Sequence, residues 1–101
     1  MALDVTITQE GQTAFLIVGG RINTSTASQL EEAVGSVVET THDIEFDFGE
    51  LEYISSAGLR VLLATSKKLA VKGGNIRIVK AQDSVREIFE VTGFANLFEV
   101  V

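Results

Sequence analysis

Leu3, Val5 and Ile7 alternate with Asp4, Thr6 and Thr8, the period-two pattern of a strand with one buried face. The turn-like "QEGQ" separates this run from "TAFLIVGG", which reads as a more fully buried second strand ending at Gly19-Gly20. A link that short predicts an antiparallel hairpin. The period then lengthens. In "TSTASQLEEAVGSVVET", Ala27, Leu30, Val34 and Val37 recur at helical spacing, while Ser28, Gln29, Glu31 and Glu32 face water. Two capping boxes compete for the start of this helix, Thr26 with Gln29 and Ser28 with Glu31.

"DIEFDF" returns to period two, with Ile44, Phe46 and Phe48 on one face and Asp43, Glu45 and Asp47 on the other. An acidic second face implies that helices cover chiefly one side of the sheet. A second amphipathic helix is marked by Leu59, Leu62, Leu63, Leu69 and Ala70 and stopped by Gly73-Gly74. "NIRIVKA" is a further strand. In "DSVREIFEVTG", Ser84 and Glu87 form a capping box, Val85, Ile88 and Phe89 point inward, and Gly93 ends a short helix. "FANLFEVV" closes the chain with a short strand. The order β-β-α-β-α-β-α-β, with helical crossovers, predicts an α/β fold with a mixed sheet of four to five strands and right-handed parallel connections. With no linker or repeat, residues 1–101 are expected to form a single domain.

Composition narrows the functions open to such a domain. No cysteine is present, which excludes disulfides and thiolate metal sites and fits a cytoplasmic protein. "MALDVTITQE" has no basic, apolar leader, and no apolar run approaches the ~20 residues of a membrane helix, so no membrane insertion is expected. The net charge of −6 and the scatter of lysines and arginines disfavour nucleic acid and favour a partner with a basic surface.

Candidate chemistry centres on "YISSAGL", where strand passes into helix. Neither serine matches a nucleophile elbow, since G-x-S-x-G is missing. His42, the sole histidine, precedes "DIEFDF", and six strand residues span roughly 20 Å, so it cannot serve Ser56 as a base. Ser–Lys chemistry would draw on Lys67 or Lys68, two to three turns further along. No catalytic residue, metal site or cofactor is expected; Asp47, Glu50 and Glu52 read as a solvated acidic rim. Either Ser55 or Ser56 suits an N-cap. The second hydroxyl then suits a phosphorylation switch, because a helix N-terminus tolerates an anion while a phosphate of about −1.5 to −2 charge alters any docked surface.

"FDFGELEYISSAGLRVLL", flanked by "GGRINTSTASQLEEAV", "KGGNIRIV" and "DSVREIFEVTGFANLFEV", resembles the STAS family, and more narrowly its free-standing bacterial anti-sigma factor antagonists. The resemblance covers nearly the whole chain. It implies a STAS-type fold and a phosphoacceptor at Ser56, with Ser55 at the family's Asp position and as fallback acceptor. Asn23 falls where many members carry a second Asp. The contact surface implied is Asn23, Thr24, Ser25, Ser55, Ser56, Ala57, Gly58, Leu59 and Arg60. The implied partners are an anti-sigma factor that is itself a serine kinase and a serine phosphatase, which bring the ATP and the metal. Ser55 and Asn23, neutral in place of carboxylates, keep open a STAS accessory subunit that never switches, docked on a transporter ATPase of the lipid-trafficking type. A monomer or weak dimer is expected, the latter through the N-terminal hairpin edge.

Overall fold

A computed structural model describes residues 3–101. The elements run β1 (Asp4–Glu10), β2 (Thr13–Ile22), α1 (Ala27–Gly35), β3 (Asp43–Ile54), α2 (Ser56–Val71), β4 (Ile76–Val79), α3 (Asp83–Thr92), a 3₁₀ turn (Phe94–Asn96) and β5 (Glu99–Val100). The five strands form one sheet in sequence order, β1-β2-β3-β4-β5. β1 is antiparallel to β2, and every later neighbour is parallel. Because strand order never reverses, right-handed crossovers carry the helices to one face. The core lies there: Leu16, Leu30, Phe46, Phe48, Leu62, Ile78 and Phe89 are fully buried. Phe48 stacks on Phe89 at a centroid distance of 6.4 Å. The mixed five-stranded sheet and its one-sided helices match the sequence reading.

The other face is open and mostly acidic. Arg77 lies 3.8 Å from both Glu45 and Glu99 across neighbouring strands, and Lys80 lies 3.5 Å from Asp47. Among the described residues no helix is long and apolar enough to cross a membrane.

Several local expectations give way to tertiary packing. β2 does not stop at Gly19-Gly20 but continues to Ile22, and it is buried on one face only, with Ile17 48% exposed on the other. The strand read in "DIEFDF" does not stop at Phe48 but runs through the acidic segment after it to Ile54. Two register irregularities against β2 each give β3 one extra residue, and they shift its buried positions from Phe48 to Leu51 and then to Ile54. α1 ends at Gly35 rather than near Thr40. Val37 and Val38 stay buried in the turns that follow, whose carbonyls at Val38 and Thr41 each accept a 2.7 Å hydrogen bond from Lys72 Nζ. None of the three capping boxes forms. Thr26 Oγ1 instead accepts from the Asn23 N–H and donates to the Arg21 carbonyl, and α3 starts after Gln82 with Ser84 Oγ turned toward the Glu52 carbonyl.

Candidate functional site

Ile22 of β2 and Ile54 of β3 are register partners in a parallel pair, so the chain leaves both strands side by side at the same carboxyl edge. Such edges collect binding sites in α/β sheets. Asn23–Ser25 follows one strand and Ser55–Arg60 the other. Two segments thirty residues apart in sequence therefore share one tip.

The two serines divide the work of the strand-to-helix junction. Ser55 donates its N–H to the Ile22 carbonyl at 2.8 Å, the last rung of the ladder. It keeps extended backbone (φ −90°, ψ 174°), and its Oγ accepts from the Gly58 N–H at 3.4 Å, while its carbonyl takes the first helical bond from Leu59. Ser55 is thus the N-cap of α2, satisfying a donor that no helical carbonyl can reach. Ser56 is the first helical residue. It is exposed, and its hydroxyl makes no hydrogen bond among the described residues.

Asn23 organises the neighbouring loop. Its Oδ1 accepts from the N–H groups of Ser25 at 2.9 Å and Thr26 at 3.0 Å, and its carbonyl accepts from Ala27 N–H. Its own N–H donates to Thr26 Oγ1. An amide oxygen suffices for these bonds, so the loop holds its shape without a carboxylate. Thr24 and Ser25 are exposed beside it.

Of the expected contact residues, Asn23, Thr24, Ser25, Ser56 and Arg60 are exposed, and Ser55 and Ala57 are half-buried. Gly58 and Leu59 are buried, Leu59 at 5% exposure, so they hold the tip in place from beneath and offer a partner no side chain. A Cβ at position 58 would lie 2.5 Å from Ile22 Cγ2, which makes glycine the residue that lets α2 approach the sheet.

The sequence reading missed what adjoins the tip. Ala27, Ser28 and Glu31 of α1 and Ala57, Arg60, Val61 and Ala64 of α2 line an open groove between the helices. The i, i+4, i+7 spacing of Ala57, Val61 and Ala64 was its available signal, hidden among other apolar positions. On the opposite face of the sheet, Arg21 lies 4.9 Å over the Tyr53 ring.

His42 stands at the far end of β3 from Ser56. Its Nδ1 donates to Asp43 Oδ2 at 3.0 Å, and Asp43 Oδ1 accepts from Asn75 N–H at 2.9 Å. Chiefly the His42 hydrogen bond, and then the Asn75 N–H, hold the Asp43 carboxyl below the ordinary aspartate range. Asp47, read as part of an acidic rim, accepts from Gly49 N–H at 2.9 Å.

Residues 4–101 match the family model described as the STAS domain. The chain is 40% identical over 82 residues to BtrV of Bordetella bronchiseptica, an anti-sigma factor antagonist by name, covering 80% of this chain and 71% of that protein. The crystal structure of an anti-sigma factor antagonist from Mycobacterium paratuberculosis superposes with a TM-score of 0.86 at 27% identity, covering 97% of this chain and 84% of that one. The unphosphorylated form of the anti-sigma factor antagonist SpoIIAA shares the fold, with a TM-score of 0.84 at 15% identity over 97% of this chain and 88% of that one.

Proposed function

The chain belongs to the STAS domain family, and from that premise we propose that it is an anti-sigma factor antagonist switched by phosphorylation of Ser56. Unphosphorylated, it binds an anti-sigma factor that is itself a serine kinase and so frees the sigma factor. The partner transfers the γ-phosphoryl group of ATP to Ser56 Oγ. One O–P bond forms, the bridging bond to ADP breaks, and the hydroxyl proton passes to a base on the kinase. A serine phosphatase restores the hydroxyl by hydrolysis: water forms the new bond to phosphorus, the Ser56 O–P bond breaks, Oγ regains a proton and inorganic phosphate leaves. The domain is substrate and ligand in this scheme, and it works in the cytoplasm as a monomer or weak dimer.

The observation that carries this reading is the free, exposed hydroxyl on the first residue of α2, next to a serine already committed to capping. A phosphate there meets unpaired N–H groups and the positive end of the helix, so the fold accepts it. A docked partner meets a new charge of about −1.5 to −2. The protein's charge of −6 suits a partner with a basic face.

Incubation with ATP and the kinase-type anti-sigma factors of the same genome tests this. A single-phosphate mass shift is expected, lost in Ser56→Ala, with Ser56→Asp weakening the complex. A shift that survives Ser56→Ala and disappears in Ser55→Ala would overturn the assignment. Neutral Asn23 and Ser55 favour the second reading, an accessory subunit docked on a transporter ATPase, which predicts no shift with any kinase.

A further inference from the structure

We infer that Arg60 is the internal counter-ion of a phosphate on Ser56, so that modification adds charge at the tip and also draws Arg60 away from the groove between α1 and α2. This rests on the reading of Ser56 as the phosphoacceptor. It adds a residue that would set how far the modification reaches.

Ser56 and Arg60 stand four residues apart at the start of α2, both exposed. Residues at that spacing share a helix face with Cβ atoms about 5–6 Å apart, and the favourable order places the anion N-terminal to the cation. An arginine spans that gap and presents a planar fork to phosphate oxygens. Arg60 is also uncommitted. The ion pairs of the described residues are His42–Asp43, Arg77 with Glu45 and Glu99, and Lys80–Asp47, none of which involves it. Other cations serve less well. Arg21 is engaged over Tyr53, and Lys67 lies eleven residues below Ser56, about 16 Å along the helix.

In the unmodified protein Arg60 helps to line the groove, with Glu31 of α1 among the other lining residues. Together they present a partner with small apolar side chains and charges that cancel. A dianion one turn away attracts Arg60, which no ion pair holds in the groove. Once Arg60 turns to it, Glu31 is the charged residue left lining the groove, beside a tip that has itself become anionic. One phosphate therefore alters two parts of the surface, while the paths of α1 and α2 are unchanged.

The test uses the full chain with phosphoserine installed at position 56 during translation, so that no kinase is needed. ³¹P NMR follows the second ionisation of the phosphate. In Arg60→Gln its pKa should rise by about 0.5 unit relative to the Arg60 protein, with Arg60→Lys in between. Lys67→Gln removes the same charge from a site about 16 Å away, beyond the ~8 Å screening length, and should leave the titration where it was. The Arg60 guanidinium Nε–H resonance should shift in step with the phosphate. An unchanged titration in Arg60→Gln, or an equal rise in Lys67→Gln, overturns the pairing. Failure of every kinase to modify Ser56 would sink the proposed switch without touching this titration, and a flat titration would sink the pairing while leaving the switch intact.

Discussion

Adding one methyl group at Gly58 tests the close approach on which the tip depends. An ideal Cβ there would stand 2.5 Å from Ile22 Cγ2, 2.7 Å from Ile54 Cγ1 and 3.2 Å from Ile54 Cδ1. Both isoleucines are buried at the ends of β2 and β3, and β-branched side chains have few rotamers into which to retreat. Overpacking of this kind costs about 1–3 kcal/mol. Replacing a helical glycine by alanine returns about 1 kcal/mol of helix propensity. Two contacts under 3.0 Å place the clash in the upper part of the overpacking range, about 2–3 kcal/mol. Gly58→Ala should therefore destabilise by about 1–2 kcal/mol net, each kcal/mol lowering Tm by roughly 4–8 °C in a domain of this size. Gly35 is the matched control, a helical glycine whose added Cβ meets nothing within 4 Å. Gly35→Ala should stabilise by about 0.5–1 kcal/mol. Urea unfolding followed by circular dichroism measures both, with unchanged m-values showing that the surface exposed on unfolding is the same in each variant. A Gly58→Ala protein as stable as the parent, or shifted in the same direction as Gly35→Ala, would refute the claim that α2 is seated on these isoleucines.

The two serines should separate in the same assay. Ser55→Ala removes a cap and should cost about 0.5–1 kcal/mol, the low end fitting its 3.4 Å contact, while Ser56→Ala should stay within about 0.5 kcal/mol of the parent. Equal effects would dissolve the division of labour. Asn23→Ala leaves the N–H groups of Ser25 and Thr26 without their acceptor and should destabilise by about 1–2 kcal/mol, whereas Asn23→Asp, which keeps that oxygen, should lose much less. Asp43 has a folded pKa below the ordinary aspartate value, so its stabilising contribution is complete above that value and is lost as pH falls through the folded one. Asp43→Asn should flatten the decline of the urea midpoint below about pH 4; an unchanged acid limb would show that the His42 and Asn75 contacts carry no linkage.

The sheet was legible because its strands keep period two and its charges fall on one side. The acidic alternation in "DIEFDF" announces an uncovered face, and unreversed crossovers supply it. What local reading could not find lay in long-range pairing. Asp47, Gly49 and Glu50 carry a turn-like composition, and only the approach of Gly19 and Gly20 on β2 makes them a bulged strand. The Thr26–Gln29 box failed for a related reason: the Thr26 oxygen already accepts from the Asn23 N–H at 2.9 Å, and its hydroxyl proton goes to the Arg21 carbonyl at 2.7 Å. The pair Ser55-Ser56 was visible as a junction, yet which serine caps is fixed by the Ile22 rung that holds Ser55 extended.

That rung gives the proposed switch its physical basis. A regulatory charge must change binding far more than it changes folding. At the first position of α2 a phosphate gains about 0.3–1 kcal/mol from the macrodipole, so the folded state is left as stable as before or slightly more so. Against a partner surface shaped for a neutral hydroxyl, juxtaposed like charge or a stranded dianion costs several kcal/mol, and every 1.4 kcal/mol is a tenfold loss of affinity. The ratio between these two effects depends on Ser56 owing nothing to the fold. Ser55 secures that independence: its backbone closes the ladder and its side chain caps the helix, so the hydroxyl beside it can be modified without any contact being withdrawn.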